Sequence, residues 1–226
     1  MLPQPHTLFQ TAPLRALLSH EFAALAPECA GVFGRQGLFI GCGAGLAAHL
    51  STPMLGRRVG LQVRDAGHLG GDVECAPAEL PFADESFRLV VLQHAFELID
   101  DLAGLREEVV RVLEPGGVAM ICGFAPYGAW RPWLLWQGRN AAALNCVSAA
   151  GWRRALAVAG VDTYAQRRVG PARLAAGLPL PPLLRPSWLL LARKRGQAAR
   201  LRAQTIALRP RGVRTRLASG AQRASA

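Results

Sequence analysis

Gly37-Leu38-Phe39-Ile40-Gly41-Cys42-Gly43-Ala44-Gly45-Leu46 begins as an apolar run and breaks into three alternate glycines. With Ala47-Ala48-His49-Leu50 behind it, the stretch predicts a buried strand turning into a helix. Glycine suits such a turn because a Cβ would hold a ligand away from the backbone. The free N–H groups and positive dipole end of the helix would then face whatever binds there. The spacing, Gly41-x-Gly43-x-Gly45, departs from the G-x-G-x-x-G dinucleotide pattern because position 46 is Leu. It argues against NAD or FAD and leaves room for a smaller adenosine ligand.

The rest of the chain extends the same pattern. Arg88-Leu89-Val90-Val91-Leu92 is a strand core apolar on both faces, as a buried parallel strand requires. From Asp101 to Leu113 the apolar positions Leu102, Leu105, Val109, Val112 and Leu113 fall on one helical stripe, and Glu114-Pro115-Gly116-Gly117 ends it. Val118–Cys122 reads as the next strand, completing a βαβ unit. Pro13 to Ala30 predicts an amphipathic helix capping the sheet, and Ser148–Gly160 a further helix. Val161–Arg168 and Ser187–Ala192 are the expected closing strand pair, joined by a proline-rich loop, Leu178–Pro186, that is either a cover over the site or a plain connector. Trp130, Trp133 and Trp136 recur every third residue, which suits an acceptor pocket, a lipid interface or simple core packing.

Three segments in order carry a family resemblance: the glycine turn, Leu80-Pro81-Phe82-Ala83-Asp84-Glu85-Ser86-Phe87-Arg88-Leu89-Val90-Val91-Leu92, and Leu105–Gly117 ending Leu113-Glu114-Pro115-Gly116-Gly117. Together they resemble the class I S-adenosylmethionine-dependent methyltransferases of the type 11 group, over about residues 10–192. Phe9–Leu14 and Gly123–Trp130 are similar to a bacterial subgroup of it. The resemblance implies a Rossmann-like, doubly wound, mostly parallel seven-stranded sheet with helices on both faces. It also implies S-adenosyl-L-methionine as cofactor and methyl transfer as the reaction.

Composition sets the limits. The chain has 226 residues and a formal charge of +11, but the charge is uneven. Residues 193–226 carry ten basic and no acidic side chains, whereas residues 1–192 are nearly neutral. The reading is a methyltransferase domain over 1–192, with a helical cap at 1–35, and a basic tail at 193–226 that is disordered at least in part. Such a tail is either a solvated extension or an arm for nucleic acid or anionic lipid. Five cysteines, Cys29, Cys42, Cys75, Cys122 and Cys146, show no C-x-x-C pair, and no signal sequence or membrane span is visible. The expected location is the cytoplasm; His6, His20 and His68 show no metal-ligand spacing, and His49 reads as a surface or packing residue.

Methyl transfer asks the protein mainly to align the acceptor with the sulfonium methyl, and a base is needed only if the acceptor must first lose a proton. His94, at the end of the fourth strand, is the candidate catalytic base, with a structural hydrogen bonder as the plainer role. Gly41, Cys42, Gly43, Gly45, Gln62, Ala76, Glu79, Leu80 and Gln93 are the expected cofactor residues. Tyr127 and Trp130 are the expected acceptor residues, and the acceptor is expected to be a small molecule. The family's cofactor acids are replaced at each matching position: by Phe39, by Gln62 at the ribose position, by Ala76, and by Arg88 in the "SFD" motif. Asp65, Glu74 and Glu79 lie near enough in sequence to substitute. Two readings follow: an active methyltransferase with an altered cofactor site, or a methyltransferase-like binding or regulatory protein that has lost the chemistry.

Overall fold

The computed structural model describes residues 8–126, 144–171, 173 and 179–196. Seven strands form one sheet: β1 (Gly34–Gly41), β2 (Leu55–Asp65), β3 (His68–Gly71), β4 (Phe87–Gln93), β5 (Leu113–Phe124), β6 (Val161–Val169) and β7 (Ser187–Lys194). Their order is β3-β2-β1-β4-β5-β7-β6. β1, β2, β4 and β5 pair in parallel, β7 runs antiparallel between β5 and β6, and β3 runs antiparallel to β2. The sheet is mostly parallel, as expected. Strand order reverses between β1 and β4, and such a reversal opens a crevice at the carboxyl ends of the strands.

Helices cover both faces. α1 (Ala12–Ala30) precedes β1, α2 (Leu46–His49) follows it, α3 (Leu102–Val112) links β4 to β5, and α4 (Ala149–Val158) precedes β6. Strand residues alternate between two apolar cores. Leu38, Ile40, Val90, Leu92 and Ile121 pack with Leu105 and Val109 of α3 and Trp152 of α4. Phe39, Leu89, Val91 and Met120 pack with Leu25 and Cys29 of α1 and Leu46 of α2. Leu14 and Leu17 join the first core while Leu25 and Cys29 join the second, so α1 serves both.

Three local features refine the sequence reading. The helix after the glycine turn is one turn long, because Leu50 is already extended (φ −97°, ψ 116°) and Thr52-Pro53 cannot continue a helix. Its dipole therefore contributes little at the site. β2 returns through a tight turn, with Asp65 Oδ1 accepting from Gly67 N–H at 2.9 Å, so β3 is a hairpin strand. β7 runs to Lys194 and its compact unit ends at Gly196, so Arg193, Lys194 and Arg195 belong with the sheet.

Candidate active site

Register sets the centre of the site. Gly41, the last residue of β1, pairs with Gln62 of β2 on one side and Gln93 of β4 on the other. Two side-chain amides thus flank the glycine turn at the carboxyl ends of three neighbouring parallel strands. The cleft there has a volume of about 630 Å³, within the range of small-ligand sites. Cys42, Gly43, Gln62 and Gln93 line it, and Phe9, Leu18 and Phe22 form an apolar wall.

Each glycine of the turn has its own reason. A Cβ on Gly41 would meet the Gly43 carbonyl oxygen at 3.2 Å and Leu46 at 3.3 Å. Gly45 has φ +87°, a left-handed conformation that disfavours other residues. A Cβ on Gly43 would meet nothing within 4 Å, so it would project into open space where a ligand's approach needs the room. Shape and amide donors together fit a nucleoside-sized ligand.

The charges are distributed unexpectedly. Among the described residues no carboxylate lines the cleft, and its charged side chains are Arg15 and Arg64. Asp65 closes the β2–β3 turn, Glu74 pairs with His68 at 2.6 Å, and Glu79 is exposed outside the lining. None of the three replaces a missing acid in the cleft wall. Phe39 is buried in the second core. Arg88 stands near the amino end of β4, away from the cleft, and pairs with Glu114 at 3.2 Å. The exchange in the "SFD" motif therefore removes no cofactor ligand.

The carboxylates lie behind the cleft instead. Glu21, His94 and Glu97 are all fully buried. His94 Nε2 bonds Glu21 Oε1 at 2.9 Å, and its Nδ1 bonds Glu97. Gln93 Nε2 donates to Glu21 Oε2 at 3.0 Å, and the Phe124 backbone N–H donates to Glu97. Burial alone would lower the His94 pKa, but the two carboxylates outweigh it and raise the value to about 10. His94 is thus an imidazolium at neutral pH with both nitrogens engaged, and it does not line the cleft. That overturns its expected role as a general base, since it has no free nitrogen to receive a proton. Burial, then the same two carboxylates, raise the Cys42 thiol well above its usual pKa, which keeps it protonated.

Of the other expected cofactor residues, Gly41, Gly45, Ala76, Glu79 and Leu80 fall outside the cleft lining, Gly41 and Gly45 within the turn beside it. Leu80 is held from below: its N–H donates to Glu108 Oε2 at 2.8 Å, and its carbonyl accepts from Arg111 Nη2 at 2.9 Å. Arg111 also bonds the Phe82 carbonyl and Asp84, and its guanidinium holds the Glu108 carboxyl below the usual range. The Leu80-Pro81-Phe82 and Arg106–Leu113 segments are thereby one mechanical unit. Tyr127 and Trp130, with Trp133 and Trp136, lie outside the described residues. The sequence reading missed Glu21, Glu97 and the cleft wall from Phe9 to Phe22. One signal was present: Glu21 interrupts the apolar stripe Leu14, Leu17, Leu25, Cys29.

A mostly parallel sheet with a glycine cleft at its strand reversal defines the Rossmann-like nucleotide-cleft class. Comparison with known proteins sharpens this. Residues 38–121 match the family model described as "Methyltransferase domain". Over that segment, which runs from β1 into β5, the chain resembles a methyltransferase domain. It is 41% identical over 81 residues to a demethylmenaquinone methyltransferase of Mycobacterium sp. (strain KMS), covering 35% of this chain and 32% of that one. It is 31% identical over 148 residues to a Mycobacterium ulcerans protein named as a phthiotriol/phenolphthiotriol dimycocerosates methyltransferase, covering 60% and 50%. The chain thus spans half or less of the length of these relatives. Among solved structures, geranyl diphosphate C-methyltransferase from Streptomyces coelicolor has a TM-score of 0.55 at 19% identity, covering 80% of each chain. The YcgJ protein of Bacillus subtilis has a TM-score of 0.54 at 16% identity, covering 78% of this chain and 99% of that one. At those identities the likeness establishes the fold.

Proposed function

We propose that this protein transfers the methyl group of S-adenosylmethionine to a small, largely apolar acceptor in the bacterial cytoplasm. One observation carries the reading: the cleft of about 630 Å³ where Gly41 sits in register between Gln62 and Gln93. The cofactor supplies an electrophilic methyl on a positively charged sulfur. Cys42 and Gly43, with Gly41 at the strand end behind them, would hold it by backbone contact, and Gln62 would hydrogen-bond its ribose hydroxyls. Phe9, Leu18 and Phe22 keep water from the acceptor side, where Tyr127 and Trp130 are our further candidates on sequence grounds. No imidazole or carboxylate lines the described cleft, so the chemistry suits an acceptor that arrives already nucleophilic, such as an amine or an ionised phenol. The quinone and lipid substrates in the relatives' names agree with a small apolar acceptor. Five free thiols suit a reducing compartment, and no described helix is long and apolar enough to cross a membrane. The arginines of residues 197–226 are proposed to contact nucleic acid or anionic lipid.

A second reading has its own support. With no carboxylate on the described cleft wall, ribose and amino contacts lack charge assistance, worth about 1.5–3 kcal/mol each. A binding or regulatory protein without turnover would tolerate that loss. Titration calorimetry with S-adenosylmethionine and S-adenosylhomocysteine separates the two. The methyltransferase reading expects micromolar binding, weakened at least about tenfold by Gly43→Val, whose branches fill the open space beside Gly43. No binding at millimolar ligand overturns it in favour of the second reading.

A further inference from the structure

We propose that the buried Glu21–His94–Glu97 cluster is the charge-selecting element of the cleft: a formally anionic group behind its wall that favours an adenosyl ligand with a positive centre at the sulfur position over the neutral thioether. The inference rests on the cofactor reading above and gives these three residues a positioning role in it.

The geometry connects the cluster to the cleft through three lining residues. Gln93 lines the cleft and donates to Glu21 at 3.0 Å. Phe9 lines it and packs on the His94 ring, with centroids 5.2 Å apart. Cys42 lines it, and its thiol feels the charge of both Glu21 and Glu97. Two carboxylates around one imidazolium leave a formal charge of −1. All three side chains are fully buried, so water does little to screen that charge.

The wall itself offers the opposite sign, since its described charges are Arg15 and Arg64. A ligand lying in the cleft therefore meets negative potential from behind and positive potential at its side. A zwitterion with a cation near Gln93 and an anion toward an arginine matches that order. The thioether keeps the amino-acid charges but has none at sulfur, so its sulfur gains nothing from the buried charge. At an effective dielectric of about 20, a unit charge one side-chain layer behind the wall changes cation affinity by about tenfold or more.

A cluster that only staples α1 to the sheet would make no such distinction. The test is titration calorimetry of the full chain with S-adenosylmethionine, the amine analogue sinefungin and S-adenosylhomocysteine. The wild-type protein is expected to bind the two cations about tenfold more tightly than the thioether. Glu97→Gln removes one charge at nearly unchanged size, and its one carbonyl oxygen still accepts from one of the two N–H donors that Glu97 serves. It is expected to erase that preference, with S-adenosylhomocysteine affinity changed less than about twofold. A loss shared equally by all three ligands overturns the proposal, because that is the mark of a structural role. So do equal wild-type affinities, a result that needs no variant to fold. If the thioether binds and the cations bind no more tightly, the cofactor reading stands and this inference alone falls. If none of the three binds, both fall.

Discussion

At the scale of single residues, His94 concentrates the unusual physics of the molecule. Its backbone has φ +52°, a left-handed conformation costing a side-chain-bearing residue about 1–2 kcal/mol. Two buried carboxylates fix the ring from both sides and its N–H bonds the Cys122 carbonyl at 3.1 Å, so the strain is held in place from several directions. The raised pKa makes a sign-definite prediction. The ion pairing contributes stability that is complete below the unfolded imidazole pKa of about 6.5 and is lost as pH rises toward about 10. The expected loss across that window is about 3–5 kcal/mol. The buried thiols Cys29, Cys42 and Cys122 also oppose folding at alkaline pH, because burial raises their pKa values. Urea unfolding at pH 7 and pH 9.5 should therefore compare the wild type with the triple variant Glu21→Gln/His94→Gln/Glu97→Gln, which keeps the thiols and removes the titrating cluster. A smaller alkaline loss in the variant is expected, and equal losses would refute the assignment. Sequence showed His94 at a strand end but not its bonds, since Glu21 is 73 residues away and only the fold brings it near.

At the scale of elements, the joint between α3, the loop before β4 and β7 decides how firmly the sheet is framed. Lys194 is the chain's one lysine and is almost fully buried. Its Nζ donates to the Val110 carbonyl at 2.8 Å and the Leu113 carbonyl at 2.6 Å, with Glu85 Oε1 at 3.6 Å. A cation at a helix carboxyl end satisfies carbonyls that the helix leaves open and complements its dipole. The compact ammonium meets both carbonyls where a planar guanidinium demands more room. Lys194→Met should cost about 2–4 kcal/mol in urea unfolding, and Lys194→Arg should recover only part of it. An unchanged midpoint in the methionine variant would show that water replaces the cap. β4, β5 and β7 were legible because each holds an unbroken apolar run, Leu89–Leu92, Val118–Cys122 and Trp188–Ala192. The hairpin after β2 is encoded in Asp65-Ala66-Gly67, a signal that the sequence reading passed over. Apolar spacing marks the face of a helix and not its length, so the one-turn extent of α2 was not legible.

At the scale of the whole molecule, charge divides the chain more cleanly than hydropathy does. Residues 1–196 form the compact unit, and Arg195 is tied to it by two bonds to Asp162, at 2.8 and 2.9 Å. Residues 197–226 hold seven arginines and no acid. The three basic residues at 193–195 thus belong with the sheet, which reduces the charge available to an arm. Polyanion binding through seven cations releases condensed counterions, so log affinity should fall with log salt at a slope of up to about −5 for a single strand. We expect the full chain to bind single-stranded oligonucleotides or vesicles rich in anionic lipid at low salt. The oligonucleotide and the vesicle arms, run separately, distinguish the two partners. Removing residues 197–226 should abolish the binding together with its salt dependence while leaving the thermal midpoint of the compact unit within about 2 °C. Binding that survives truncation would move the basic surface onto the folded unit, where Arg15 and Arg64 line the cleft. Such a result would bear on the acceptor as well, because a polyanion held there would compete with adenosyl ligands. Competition calorimetry on the truncated chain would then separate a surface contact from occupation of the site.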